Sequence, residues 1–297
     1  MQSFPIDYIE PVFRPPSEGK SLILPVTNGC SWNQCTFCEM YTQPQKKFRA
    51  RRDEDIRADI ERAARTLGPV RRVFLADGDA MVLPTRRLLA IIGWLREAFP
   101  SLERVGSYCL PRNLRKKSVA DLQALREAGL QILYIGVESG DDTVLEKVQK
   151  GETYASSLEA LQKIHQAGIT SSVMVLNGLG GEVYSEQHAI NSARVLNEAQ
   201  PDYLSTLVVS FPVGLERFKA QFPEFTPLQQ MDLFRELRLF LEHLDLKDTV
   251  FRSDHASNYL VLKGRLNQDR DSMLRQLDLA INQPGAVPLR AEWQRGL

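Results

Sequence analysis

Three of the chain's four cysteines, Cys30, Cys35 and Cys38, fall within nine positions of the stretch 27-TNGCSWNQCTFCEMY-41. Thiolates are soft ligands that suit zinc and iron–sulfur clusters. Ferredoxin patterns supply four cysteines per cluster, and structural zinc sites use paired short knuckles or added histidines. Here one C-x2-C knuckle is preceded by a third cysteine at C-x4-C spacing, with no histidine nearby. Three thiolates would hold three irons of a 4Fe–4S cube and leave the fourth iron open to a ligand that is not protein. The fourth cysteine, Cys109, closes the run 104-RVGSYC-109. Its plain reading is a small buried hydrophobe. The sharper readings are a redox or hydrogen-atom donor in the active site, or a fourth cluster ligand.

Such residues need a scaffold. The chain has 297 residues, 43% of them hydrophobic and 25% charged, enough for a large core without outside help. Its formal net charge of zero argues against a general nucleic-acid or membrane-surface binder. The N-terminus lacks a basic segment followed by an apolar one, and the longest apolar run, 88-LLAIIGWL-95, is too short to span a membrane. A cytoplasmic setting is expected, where thiols stay reduced and clustered cysteines serve as metal ligands rather than disulfides. Short apolar runs at 22–27, 72–76, 104–109, 131–137, 171–176 and 203–209 read as buried strands. Helical patterns lie between them. Asp53 is expected to cap 53–67, Ser118 with Asp121 to open a helix that Gly129 ends, and Gly168 to close 155–167. A helix is expected from Ser185 to 199, another over 227–244 behind Thr226-Pro227 and Gln229, and a last one over 269–282.

Six β-then-α units imply parallel strands with right-handed crossovers. The expected fold is α/β: a partial (βα)6 TIM-like barrel or an open doubly wound sheet, with a mainly helical C-terminal extension. Residues 1–20 read as an extended, Pro-rich segment, 21–221 as the core barrel, and 222–297 as the extension packing on it. The cysteine loop follows the first strand, where parallel α/β folds carry their active sites.

With this placement the cysteine loop resembles that of the radical S-adenosylmethionine (SAM) superfamily, although the common spacing there is C-x3-C-x2-C. The resemblance implies that Cys30, Cys35 and Cys38 bind a 4Fe–4S cluster and that SAM chelates the open iron. Reductive cleavage of SAM would then give a 5′-deoxyadenosyl radical that takes hydrogen from a substrate. Phe37 fits the aromatic position near the adenine. The turn 76-ADGDA-80 stands where relatives bind the SAM ammonium, with Asp79 in the acidic role and Gly78 allowing close backbone approach. The segment 136-GVESGDDTVLEKVQKG-151 resembles the Elp3/MiaB/NifB type. Its Glu138 and Ser139 would meet SAM, a ribose hydroxyl or the ammonium being a fitting partner for the carboxylate. A salt bridge to a neighbouring Lys or Arg is the alternative for Glu138. The glycine-rich 177-NGLGGE-182, with Gly178, resembles the turn that approaches adenine.

Two departures narrow the expectation. The sixth strand ends in 211-FPVGLERF-218 instead of a Pro-Gly-Thr-Pro-Leu-like turn, so substrate contacts there cannot be carried over. Only 29 residues precede Cys30 and no cysteine follows Cys109, so neither a cobalamin domain nor a cysteine-bound auxiliary cluster is expected. The segment 251-FRSDHASNYLVLKGRL-266 gathers His255 and Tyr259 after a strand-like start; these two are expected over the barrel mouth against substrate or SAM, and a hydrogen-bonded structural loop is the alternative. The basic runs 46-KKFRARR-52 and 115-RKK-117 read as solvated charge, or as docking for a reducing partner such as flavodoxin or ferredoxin. The rival from another class is a non-catalytic iron–sulfur carrier or sensor with Cys109 as fourth ligand.

Overall fold

The computed structural model describes residues 5–296. Its strands are β1 (Leu22–Pro25), β2 (Thr27–Asn28), β3 (Arg49–Ala50), β4 (Arg72–Ala76), β5 (Arg104–Cys109), β6 (Leu130–Glu138), β7 (Thr170–Asn177), β8 (Tyr203–Val208), β9 (Val250–Ser253) and β10 (Leu262–Arg265). Its helices are α1 (Asp53–Thr66), α2 (Thr85–Ala98), α3 (Val119–Ala128), α4 (Asp142–Lys147), α5 (Tyr154–Gln166), α6 (Gly181–Ala199), α7 (Glu216–Lys219), α8 (Gln230–His243) and α9 (Leu266–Asn282). The chain divides into two compact units. The first holds the chain up to Asn33 with Cys38–Ile135 and Lys163–Ser171; the second holds Gln34–Phe37, Gly136–Gln162 and Ser172 onward.

In the first unit, β1 pairs in parallel with β4, β4 with β5, and β5 with β6. The strands are near-continuous apolar runs because both faces are covered: Val73, Phe74, Leu75 and Ala76 of β4 are all buried. One covering layer is α1, with Ile56, Ile60 and Ala63 inward, and α2, with Leu88, Ile91, Ile92 and Leu95 inward. Phe74, Tyr108 and Tyr134, one from each of β4, β5 and β6, meet edge to face, and the Tyr134 hydroxyl donates to Glu18 at 2.5 Å.

In the second unit, β7 pairs in parallel with β8 and β8 with β9, while β10 returns antiparallel to β9. The stretch expected to be a polar cover over the barrel mouth therefore begins as a seventh parallel strand. Its four residues alternate Phe251 and Ser253 inward with Arg252 outward, which is the strand-like start of that stretch. Phe218, Phe222 and Phe225 form an aromatic cluster with Leu176, Leu179, Val144 and Val148.

Several helix ends differ from expectation. Arg52, not Asp53, caps α1, and it makes no side-chain cap bond; Asp53 instead accepts from Arg87 at 2.7 Å. The Ser118–Asp121 capping box and the Gly129 terminus are as expected. Helix α6 starts four residues before Ser185, whose hydroxyl goes to Glu236 instead. Helix α8 starts after Pro227, and α9 starts three residues before 269.

Candidate functional site

The cysteine loop leaves β1 and is pinned at its base. Strand β2 pairs antiparallel with β3, Thr27 opposite Ala50 and Asn28 opposite Arg49, so the segment carrying Cys30 is tied to the segment following Cys38. The Asn28 side chain reinforces this by donating to the carbonyls of Gln45 and Lys47. Asn33 donates to the Tyr41 carbonyl at 2.9 Å, closing the loop on itself. Cys30 and Cys38 are partly exposed, Cys35 is buried, and none of the cysteines is in a disulfide. Among the described residues no three His, Cys, Asp or Glu side chains stand ready as a metal-ligand group. Three thiolates are the donor chemistry that a 4Fe–4S cluster takes, and Cys30, Cys35 and Cys38 would be the residues to hold it.

The turn after β4 braces that loop. Asp79 is fully buried and accepts from the Ser31 N–H at 2.9 Å, from the Ser31 hydroxyl, and from Asn113 Nδ2 at 3.2 Å. Burial still pushes its carboxyl above the usual range. Three of its lone-pair positions are thus held by protein donors, leaving room for one further partner. Gly78 has φ +86°, and a Cβ there would sit 2.0 Å from the Gly29 carbonyl oxygen. Only glycine fits, and the backbone it lets in is the cysteine loop's own.

Asp77, one turn earlier, accepts from the Tyr41 hydroxyl at 3.0 Å and from Lys46 Nζ at 2.6 Å, with both ion-pair partners buried. Lys46 was part of the run read as solvated charge, and this is a correction: it is an internal tie. Arg51 pairs with Asp59 and Arg52 with Asp55, which leaves Lys47 and Arg49 as the exposed cations of the run that no ion pair holds among the described residues. Lys117 of the second run is likewise buried, donating to the Leu83 carbonyl. Because Lys46→Ala leaves a buried carboxylate without its cation, it should lower stability by about 3–5 kcal/mol, read from chemical denaturation midpoints. A loss under 1 kcal/mol would show that the pair is solvated.

In the second unit the end of β6 carries a residue in a sparsely populated backbone conformation. Glu138 has φ +66°, a left-handed conformation that is uncommon outside glycine. Its side chain folds back over Gly136, where a Cβ would lie 1.9 Å from Glu138 Oε1. That oxygen meets Lys150 Nζ at 3.1 Å, the salt bridge that was the alternative reading. The other oxygen, Oε2, is buried and has no hydrogen-bond partner among the described residues. One carboxylate oxygen is therefore structural and the other is available. Phe37 packs against the aromatic cluster, with Lys150 Nζ 5.9 Å from its ring centre. Beside it, Thr36 N–H donates to the Val148 carbonyl at 3.0 Å and Arg217 to the Cys35 carbonyl at 3.0 Å.

Ser139 faces inward. Its hydroxyl accepts from the Asp141 N–H at 3.0 Å and lies 2.8 Å from His188 Nδ1, to which it donates because the other ring nitrogen carries the hydrogen. His188 Nε2–H then donates to the Leu176 carbonyl at 3.0 Å, which fixes the neutral tautomer. Burial agrees, holding His188 down at about 4. Gly178, φ +86°, gives its N–H to Glu236 Oε1 at 2.6 Å. His188 and Glu236 are the polar residues that sequence reading passed over. Glu236 lies three residues after Leu233 and four before Phe240, so its place on the apolar stripe of α8 was the available signal.

His255 and Tyr259 belong to a hydrogen-bonded loop. His255 Nδ1 lies 2.9 Å from the Ser257 hydroxyl and 3.1 Å from its N–H, and burial lowers its pKa. The Tyr259 hydroxyl donates to Glu292 at 2.6 Å while Arg295 stacks 3.8 Å over its ring. Cys109 is 2% exposed and its thiol reaches the Leu110 carbonyl at 3.4 Å.

Residues 24–193 match the model of the radical SAM superfamily, and the chain belongs to that superfamily. Its cofactors are a 4Fe–4S cluster and SAM. The chain is 21% identical over 182 residues to the heme chaperone HemW of Bacillus subtilis, a match covering 59% of this chain and 47% of HemW. It spans less than half the length of the curated relatives it matches. Among solved structures it resembles methylornithine synthase (TM-score 0.51, 20% identity, 91% of this chain and 83% of that one). It also resembles coproporphyrinogen III oxidase of Escherichia coli (TM-score 0.55, 18% identity, 75% and 52%), which is described as a radical SAM enzyme. These likenesses show the fold, α/β of the partial TIM-barrel class. No helix among the described residues is long and apolar enough to cross a membrane.

Proposed function

We propose that this chain is a radical SAM enzyme in which Cys30, Cys35 and Cys38 hold one 4Fe–4S cluster and SAM fills the open iron position. The observation that carries the reading is Glu138: strained, buried, and with Oε2 lacking a hydrogen-bond donor among the described residues. Leaving such an oxygen unsatisfied costs about 1–3 kcal/mol, more for a charged group, and a ligand's ammonium or hydroxyl would recover it. The chemistry of the donor set fits the group, since three thiolates are the ligands a 4Fe–4S cluster takes while leaving one iron open.

When bound, the reduced cluster and SAM supply a 5′-deoxyadenosyl radical for hydrogen abstraction. The protein's residues do the positioning. Asp79 holds the loop through Ser31; Glu138 receives a SAM donor; Gly78 and Gly178 allow tight backbone turns; Ser139 is locked through His188. Phe37 offers a flat apolar surface to the adenine. In this reading residues 21–221 form the catalytic core and 222–297 the extension, with His255 and Tyr259 as substrate-side residues. A reducing partner such as flavodoxin or ferredoxin would deliver the electron, and exposed Lys47 and Arg49 suit an acidic one. A cytoplasmic setting agrees with reduced thiols. The test is chemical: anaerobic, reduced protein given SAM should release 5′-deoxyadenosine.

A further inference from the structure

Glu236 is the buried acid that this mechanism leaves unused. It sits on α8, beyond the segment that matches the family model, with its side chain 2% exposed. One carboxylate oxygen accepts from Gly178 N–H at 2.6 Å; the other accepts from the Ser185 hydroxyl at 2.6 Å. A single side chain thus ties α8 to the turn after β7 and to the first turns of α6. Asn177, next to Gly178, adds a second tie by donating to the Leu233 carbonyl of α8 at 3.2 Å. Around Glu236 lies a cavity of ≈ 10 Å³, whose lining includes Asn177, His188 and Thr206. Asn177 Oδ1 and Thr206 Oγ1 are buried without a hydrogen-bond partner among the described residues. Such a cavity holds about one water, and these two oxygens with Glu236 would give it three polar partners.

We propose that Glu236 is a positioning residue for the adenosyl half of SAM: through Gly178 N–H it sets the backbone of the Asn177–Gly178 turn. The inference rests on the reading of that turn as the one that meets adenine. A buried carboxylate is an expensive choice for joining two helices and a turn, since an apolar contact would hold helices as well. What a carboxylate adds is direction, because it fixes where one N–H points and hence where the adjacent carbonyls face. A glutamine of the same length can keep its oxygen on Gly178 N–H and turn its amide N–H to the Ser185 hydroxyl, which accepts as well as donates.

The test uses the full chain with its cluster reconstituted anaerobically, and two probes: SAM, and L-methionine, which carries only the iron-chelating half. Affinity is read by equilibrium dialysis, and for methionine also by the change in the cluster's EPR signal. Glu236→Gln keeps an acceptor at the same reach and should bind SAM within about threefold of wild type. Glu236→Asp keeps the charge but cannot reach Gly178, and Glu236→Ala removes the acceptor; each should weaken SAM about tenfold while leaving methionine unchanged. Tight SAM binding by Glu236→Asp, with wild type also binding, would overturn the inference and leave the proposed function standing. Equal losses for SAM and methionine would overturn it too, by showing general damage. Wild type that binds no SAM would overturn both readings. Should Glu236→Ala fail to fold, the Gln and Asp pair decides alone, because a purely electrostatic role predicts their reverse order.

Discussion

Alanine at Cys38 should give a folded chain that no longer carries an intact four-iron cluster, while alanine at Cys109 keeps it. The two cysteines differ in every physical respect that matters here. Cys38 is partly exposed on a loop held by backbone pairing of Thr27 and Asn28 and by the Asn33–Tyr41 bond, none of which uses its sulfur. Its removal should cost little stability and one thiolate ligand. Cys109 is buried at the end of β5 and its thiol already meets the Leu110 carbonyl. Its removal should cost about 1 kcal/mol of packing and no iron. Iron and sulfide analysis after anaerobic reconstitution should give about four of each per chain for wild type and Cys109→Ala. Cys30→Ala and Cys35→Ala should behave as Cys38→Ala does. Loss of iron in Cys109→Ala as well as in Cys38→Ala would favour the carrier reading, in which Cys109 is the fourth ligand.

Glu138→Gln should retain the fold and the cluster but weaken SAM binding by about 10- to 100-fold. The amide oxygen can still accept from Lys150, so the buried ammonium keeps a partner. What is lost is the negative charge behind Oε2. A hydrogen bond to a charged group contributes about 1.5–3 kcal/mol, which is that range of affinity. Glu138→Ala is the harsher change. It strips Lys150 of its carboxylate and should lower stability by about 3–5 kcal/mol as well. The separation of the two effects is the useful result: Gln reports ligand binding and Ala adds the ion pair. Unchanged SAM affinity in Glu138→Gln would reduce Glu138 to a structural partner of Lys150.

The parts of the molecule that were plain in the sequence are those whose residue types are forced. Parallel strands covered on both faces must be apolar throughout, and so 72–76 and 104–109 were read with their ends correct. The cysteine spacing is likewise forced by chemistry. The start of β9 was legible as strand-like, whereas β10 was missed because it is a four-residue exposed edge strand with Lys263 and Arg265. Lys46 was hidden by its neighbours: a lysine in a basic run looks solvated until Asp77 is brought across from the end of β4. Glu236 and His188 were hidden differently. Each is one polar residue on an otherwise buried helix face, and the partners that explain them, Gly178, Ser185 and Ser139, come from distant segments. The left-handed backbone at Glu138 has no sequence signature at all, because the strain is imposed by the fold around it.

The most direct measurement follows SAM itself. Wild-type protein, reconstituted and reduced with dithionite without oxygen, is given SAM, and 5′-deoxyadenosine is sought by mass spectrometry beside a Cys38→Ala control. The account predicts 5′-deoxyadenosine from wild type and none from the control. Wild type that yields no more than the control, and whose cluster EPR signal SAM leaves unchanged, would contradict it.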